Sequence, residues 1–223
     1  MSVDDRLKSA KQKRKQARKK MYDKPKGSRH ILKRVIAKLN ALIKRLRRKK
    51  KKQDDAKVVV KQVPLPPTGP MGGGGRKIVW HTTEGSTAAG AVGAYKASGA
   101  YPHFTLAEDG TAWQHLGFGQ YGTALKHVYG PETNRANAIQ VEIVGFAKDS
   151  GRWSDTRYKQ IAALARYIED KFNVPRDAKV SFDNPSRLSP EAFVGYAGHC
   201  GHVHVPGNDH YDPGTGFKIG KVL

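Results

Sequence analysis

The spacing of apolar residues changes along the chain, from a helical repeat near the start to short strand-like runs later. Between residues 31 and 50, apolar side chains recur at steps of three and four among lysines and arginines, which predicts an amphipathic helix. Its apolar positions are Ile31, Leu32, Val35, Ile36, Leu39, Leu42, Ile43 and Leu46. Residues 1–29 are almost devoid of apolar side chains, so we expect them not to bury a core.

Apolar runs beyond residue 76 predict an α/β domain. The predicted strands are 77–81, 103–107, 111–116 and 138–144, and the predicted helices are 86–98 and 155–172. The second and third strands read as a hairpin closed by Glu108-Asp109-Gly110, and Ser154 is a suitable N-cap for the second helix. The expected fold class is therefore a mixed central β-sheet flanked by helices, preceded by a basic helical arm.

Charge divides the chain unequally. The formal net charge is +22, and residues 1–62 carry 25 lysines and arginines against 5 acidic residues. Residues 63–223 hold 16 against 14, so a uniformly basic nucleic-acid-binding fold is excluded. Residues 63–75 (VPLPPTGPMGGGG) have the composition of a linker. We therefore divide the chain into a basic arm (1–62), a Pro/Gly linker (63–75) and a catalytic domain (76–223).

The cysteine count and the longest apolar run exclude two further classes. A single cysteine, Cys200, cannot form an internal disulfide, and we expect it to be a small buried residue. No run of about 18 apolar residues occurs, and the basic N-terminus lacks the apolar stretch of a secretory signal. We expect neither a signal peptide nor a transmembrane helix.

Histidines are concentrated in the segment 198–214 (GHCGHVHVPGNDHYDPG). Its imidazoles and carboxylates are His199, His202, His204, His210, Asp209 and Asp212. A catalytic zinc takes three such ligands and an open position, although any one of these histidines could equally lie in a solvated loop. The segment is a candidate metal site.

Two further polar residues lie in predicted strands. His81 ends the first strand, where α/β folds build sites, although a hydrogen-bonded histidine without a ligand role fits equally well. Glu142 shares a strand face with Gln140, and the alternation alone favours exposure to solvent. Beside a metal, Glu142 would be a suitable general base.

These motifs occur in an order that resembles a known family. They are His81-Thr82-Thr83-Glu84-Gly85, Pro102-His103-Phe104, Ile139-Gln140-Val141-Glu142, Gly201-His202 and Asp212-Pro213-Gly214. Over residues 76–216 the chain is similar to zinc-dependent N-acetylmuramoyl-L-alanine amidases, which share a fold with peptidoglycan recognition proteins. Within them it is most similar to bacteriophage endolysins.

The resemblance implies a set of roles. The zinc (Zn²⁺) ligands would be His81, His202 and Asp212, and Glu142 would be the base. His210 stands where many members have a lysine, so it would stabilise the oxyanion. Thr82, His103 and His127 would contact substrate. Pro102 departs from the tyrosine found in other members. The implied reaction is hydrolysis of the amide bond between N-acetylmuramic acid and L-alanine of peptidoglycan.

Two other functions compete with this interpretation. His204, Asn208 and His210 with a basic arm suggest a metal-dependent nuclease, but Pro206, Gly207, Pro213 and Gly214 disfavour the strand–helix surroundings such a motif needs. A non-catalytic peptidoglycan-binding domain of the same fold would typically lack a complete ligand set. The filled positions favour an enzyme.

The arm has its own candidate partners. We favour anionic membrane or envelope polymers, with nucleic acid less favoured, and self-association through the apolar stripe stays open, as does the oligomeric state. The endolysin resemblance implies a protein held in the host cytoplasm until release, which then acts on the bacterial cell wall.

Overall fold

The computed structural model describes residues 3–25, 29–54, 57–125 and 132–223. The chain forms two compact units, Met1–Ala56 and Lys57–Leu223. Within the described ranges, no helix is both long enough and apolar enough to cross a membrane.

The first unit is a pair of packed helices, α1 (Val3–Tyr22) and α2 (His30–Asp54). Helix α2 includes the predicted 31–50 and extends beyond it at both ends. Helix α1 differs from the expectation that residues 1–29 bury nothing, because Leu7 and Ala10 are buried against Ile43 and Leu46. The few apolar residues of α1 suffice since α2 supplies the rest of the contact.

The second unit is built on a mixed sheet that, within the described residues, has six strands in the order β1-β4-β3-β5-β2-β6. The strands are β1 (Val60–Gln62), β2 (Lys77–Thr82), β3 (Phe104–Leu106), β4 (Ala112–Gln114), β5 (Ala138–Ile143) and β6 (Gly198–Gly201). Strands β3 and β4 form the predicted antiparallel hairpin, and the other pairings are parallel. The predicted α/β class with a mixed central sheet is confirmed.

Helices accompany this sheet. They are α3 (Ala88–Ser98), α4 (Asp155–Phe172), α5 (Pro190–Gly195) and α6 (Ile219–Val222). Helix α4 begins where predicted, with the Ser154 hydroxyl accepting a hydrogen bond from the Arg157 N–H. Tyr158 and Ile161 of α4 pack with Ile78 and Trp80 of β2 in the larger core. Val79 belongs to a second core with Cys200, which is fully buried as expected.

The segment between the arm and β2 is attached to the sheet. Strand β1 pairs with β4, then Val63 N–H donates to the Gln114 carbonyl (2.9 Å) and Met71 N–H to the Gly119 carbonyl (3.0 Å). The sequence analysis assigns residues 60–62 to the arm and 63–75 to a linker. In the structure both segments belong to the second unit and are hydrogen-bonded to it. The physical reason is that β4 would otherwise be an edge strand with unpaired backbone groups.

Candidate metal centre

Parallel pairing of β2 and β5 brings two of the predicted site residues side by side. His81 near the carboxyl end of β2 is the register partner of Glu142 in β5. Both residues are buried, at 1% and 8% exposure, so the expectation of a solvent-exposed Glu142 is wrong. The alternation of β5 correctly places Glu142 on the sheet face opposite the larger core. That face is not open to solvent at Glu142, because it carries the candidate metal centre.

The third segment of the site follows β6. A short 3-10 helix, His202–His204, begins immediately after Gly201, and an added Cβ at Gly201 would lie 2.5 Å from Pro213 Cδ. Glycine therefore lets the strand end pass close to the loop that carries Asp212. His202 and Asp212 are both buried beside His81.

Three side chains converge in this buried space. His81 Nδ1 lies 3.2 Å from Asp212 Oδ2, and His202 Nδ1 lies 3.3 Å from Asp212 Oδ1. One ligand atom from each of the three residues lies within 4.8 Å of the others. Two ligands held about 2.0–2.1 Å from one tetrahedral zinc are about 3.3–3.4 Å apart. The spacing to Asp212 thus suits a small tetrahedral ion.

An unpartnered polar atom also lies beside the three converging residues. Among the described residues, the buried side-chain atoms without a hydrogen-bond partner include Glu142 Oε2. Such atoms are rare in folded proteins, and each calls for an explanation such as an ion or a ligand. The donor set of two imidazoles and one carboxylate is one that zinc accepts.

The protonation states of His202 and Asp212 are those of metal ligands. Burial, together with the nearby His81, lowers the pKa of His202 to about 4, so its imidazole is neutral at physiological pH. Burial would raise the pKa of Asp212, but hydrogen bonds from His202, His210 and His81 lower it well below its ordinary value. A neutral imidazole and an ionised carboxylate are the forms that bind metals.

Glu142 has the opposite electrostatic environment. Burial raises its pKa well above the ordinary value, and the charges of Asp212 and Glu84 add to this. Its Oε1 is 3.8 Å from His81 Nδ1. A carboxyl group of raised pKa is suited to taking up and releasing a proton near neutral pH.

His210 lies at the open side of the cluster. Its ring stacks on that of His202 with centroids 4.1 Å apart, and its Nδ1 is 3.4 Å from Asp212 Oδ1. The His210 side chain is 44% exposed, unlike those of the three converging residues. It is thus placed to meet a substrate from the solvent side.

Two neighbouring histidines have structural roles. His204 is fully buried, its Nδ1 accepting from the Gly201 N–H (2.9 Å) while its Nε2 contacts the Ser181 carbonyl (3.0 Å). His199 is also buried, with Nδ1 accepting from Trp80 Nε1 and Nε2 3.1 Å from Glu169. Neither belongs to the group formed by His81, His202 and Asp212, so His204 does not take the place of His202 in that group.

The residues predicted to contact substrate do not join the group formed by the three predicted ligands. His103 is fully buried, with Nε2 hydrogen-bonded to the Gln120 carbonyl (2.8 Å) and Nδ1 accepting from the Gln140 N–H (3.1 Å). A substrate contact for His103 is therefore corrected to a structural role, because both ring nitrogens are used inside the protein. The Thr82 hydroxyl donates to Glu84 Oε1 (2.7 Å). His127 lies outside the described residues.

Glu84 is a residue whose importance the sequence interpretation missed. Its Oε1 accepts hydrogen bonds from the Thr82 hydroxyl and from the Ala147 N–H, both at 2.7 Å, and its Oε2 lies 3.5 Å from the Tyr211 hydroxyl. Its backbone φ is +47°, which is uncommon for a residue with a side chain. In the sequence, the only indication that Glu84 belongs to the site is its position three residues after His81.

Several solved structures are similar to this chain. Among solved structures the chain is similar to the endolysine N-acetylmuramoyl-L-alanine amidase LysCS from Clostridium intestinale, at 20% identity over 51% of this chain and 75% of that chain (TM-score 0.37). It is also similar to the Ph2119 endolysin from a Thermus scotoductus bacteriophage, at 15% identity over 63% and 79% (TM-score 0.41).

A third solved structure, a selenomethionine derivative of AmpD, matches at 16% identity over 75% of this chain and 93% of that chain, with a TM-score of 0.47. No curated protein matches the sequence. The family described as N-acetylmuramoyl-L-alanine amidase (Amidase_2) matches residues 72–215, well over half of the chain. The chain therefore belongs to the N-acetylmuramoyl-L-alanine amidase family, and is an enzyme of that class that acts on peptidoglycan.

Proposed function

We propose that this amidase is zinc-dependent and that it works as an endolysin, opening the bacterial cell wall. The observation that supports this best is the convergence of His81, His202 and Asp212 beside the carboxyl group of Glu142. The cleaved bond would be the amide between the lactyl group of N-acetylmuramic acid and L-alanine. When bound, zinc would supply a Lewis acid for the carbonyl and lower the pKa of a coordinated water toward about 7.

Glu142 is the proposed general base. Its Oε2 has no hydrogen-bond partner and its pKa is raised, first by burial. It would take a proton from the water as the water oxygen bonds to the carbonyl carbon. It would then deliver that proton to the nitrogen of L-alanine as the C–N bond breaks, leaving a free amine and a carboxylic acid, which releases its own proton to solvent at neutral pH.

His210 is the proposed partner of the oxyanion. The ring lies against His202 and is partly exposed, so a substrate carbonyl that approaches the cluster meets it without a rearrangement of the core. An imidazole N–H would donate to the carbonyl oxygen as negative charge develops there. Histidine can be neutral or cationic near neutral pH, so this support would be weaker than that of a permanent cation.

The decisive experiment measures zinc and turnover on the same protein. The full chain should bind about one zinc per molecule and release stem peptides from purified peptidoglycan, with new muramic acid carboxylates detected by mass spectrometry. Glu142→Gln should keep the zinc and lose hydrolysis by about 10²–10⁴-fold. A matched control is Glu191→Gln, which alters an exposed glutamate of α5 and should behave like the wild type. Wild-type turnover in Glu142→Gln would refute the assigned base.

The nuclease alternative receives no support from the loop that suggested it. His204 is buried with both ring nitrogens hydrogen-bonded, and the Asn208 side-chain amide donates to the carbonyls of His202 and Val205. The side chains of His204 and Asn208 are therefore not available to bind a phosphate or a metal ion. Intact plasmid after incubation with protein and divalent metal is the expected result.

We also propose that the first unit holds the enzyme on anionic surfaces of the cell envelope. Residues 1–56 contain 23 lysines and arginines against 5 acidic residues, whereas residues 63–223 are close to neutral. A charge of this size attracts anionic polymers and membranes in a salt-sensitive way. Binding of the full chain to whole cells should therefore weaken as sodium chloride is raised.

A further inference from the structure

The outer face of α2 carries apolar side chains that α1 does not cover. Ile43 and Leu46 are buried against α1, but Ile31 is 61% exposed, Val35 40% and Leu42 42%. These three residues are spaced by four and seven positions, so they lie in one row along the helix. Exposed apolar rows of this kind mark an interaction surface more often than isolated apolar residues do.

Cations are interleaved with this row. Arg34, Lys38 and Arg45 occur three or seven residues after the apolar positions, which places them on the same side of α2, and all three are exposed. We call the six residues Ile31, Arg34, Val35, Lys38, Leu42 and Arg45 the outer face of α2. The face has no acidic residue, since between positions 24 and 53 the sequence has none.

We infer that the outer face of α2 docks on an anionic lipid bilayer. This inference rests on the proposed attraction of the first unit to anionic envelope surfaces, and it selects lipid from among them. A nucleic acid or a wall polymer offers phosphates to Arg34, Lys38 and Arg45 but no apolar phase to Ile31, Val35 and Leu42. A bilayer interface offers both, with the aliphatic side chains entering the acyl boundary while Lys and Arg extend to the headgroups.

The charge of the unit favours the same partner. Attraction to an anionic leaflet grows with each nearby Lys or Arg, and the apolar row adds burial that charge alone does not provide. Two contributions predict two separable responses. Substituting the cations should weaken lipid binding and make what remains less sensitive to salt, whereas substituting the apolar residues should weaken lipid binding without changing the charge.

The test uses the full chain in vesicle co-sedimentation, with far-UV circular dichroism to verify helix content. The probes are vesicles rich in phosphatidylglycerol, vesicles of phosphatidylcholine alone, and polyphosphate as a polyanion without an apolar phase. The apolar variant is Ile31→Asn, Val35→Asn and Leu42→Asn together. The charge variant is Arg34→Gln, Lys38→Gln and Arg45→Gln, and its matched control removes three exposed cations from other faces of α2, as Lys33→Gln, Lys44→Gln and Arg47→Gln.

Wild-type protein should bind phosphatidylglycerol vesicles and not phosphatidylcholine. The apolar variant should bind them at least about tenfold more weakly while binding polyphosphate like the wild type. The charge variant should lose more lipid binding than its matched control. Equal lipid binding by the apolar variant and the wild type would overturn the inference, as would equal losses in the two charge variants. Failure of the wild type to bind any anionic probe would instead overturn the envelope proposal on which it rests.

Discussion

His81 and Glu142 are register partners in adjacent parallel strands, with 3.8 Å between His81 Nδ1 and Glu142 Oε1. Parallel strands end at the same edge of a sheet, so this pairing fixes a proposed metal ligand and the proposed base on rigid backbone. Asp212 completes the group from a loop, 3.2 Å from His81. The positions of Glu142 and His81 therefore depend on sheet register, whereas the position of Asp212 depends on the packing of its loop.

The first prediction concerns the ligand set. His81→Ala, His202→Ala and Asp212→Ala should each weaken zinc affinity by at least about a hundredfold, because each removes one of three protein ligands. His210→Ala should keep its zinc and lower turnover, since its ring is half-exposed and stacks on His202 from outside the cluster. Competition with a chromogenic chelator measures the affinities. Full zinc binding by Asp212→Ala, or loss of zinc in His210→Ala, would contradict the assignment.

The second prediction concerns Glu84, which joins the segments that carry the site. It contacts Thr82 beside His81, Ala147 beyond Glu142, and Tyr211 beside Asp212. Losing hydrogen bonds worth about 1–2 kcal/mol should reduce kcat/KM in Glu84→Ala by about tenfold or more and weaken zinc binding. Glu84→Gln retains an acceptor oxygen for Thr82 and Ala147, so it should recover most of both quantities. Equal losses in Glu84→Ala and Glu84→Gln would show that the negative charge, and not the contacts, is what matters.

Local sequence patterns are sufficient to predict the helices and strands. They do not show which segments distant in sequence lie side by side in the fold. The helical spacing of α4 with its Ser154 cap, and the alternation of Ile78 and Trp80 against Val79, are properties of neighbouring residues, so they predicted these features correctly. The burial of Glu142 depends on which strand lies beside it, and alternation alone indicated exposure. His103 illustrates the same limit, because its two hydrogen-bond partners, Gln120 and Gln140, are distant in sequence.

The third prediction concerns where the arm can be removed. Deletion of residues 1–56 should leave hydrolysis of isolated peptidoglycan unchanged, since the second unit is compact from Lys57 onward. Deletion of residues 1–62 should lower the thermal midpoint, because it removes β1 and exposes the backbone edge of β4. Differential scanning fluorimetry and a turbidity assay on cell walls compare the two truncations. Identical melting temperatures would mean that β1 contributes no stability.

The fourth prediction is a loss of stability in acid, traced to His103. Burial lowers the pKa of His103 to about 4, whereas an unfolded histidine has a pKa of about 6.5. The unfolded state therefore binds one more proton between these values, so the free energy of unfolding falls as pH decreases from about 6.5 to about 4. The full difference corresponds to about 3 kcal/mol for this group. Urea titrations at a series of pH values measure it.

His103→Gln provides the control for that measurement. Glutamine does not titrate, so the variant should be less stable than the wild type at pH 7 and should also lose about one proton from the pH dependence below 6.5. Burial also lowers the pKa of His202 to about 4 and lowers that of His115, so part of the acid sensitivity should persist in the variant. If His103→Gln and the wild type lost stability in parallel as pH fell, His103 would not be the group that becomes protonated on unfolding.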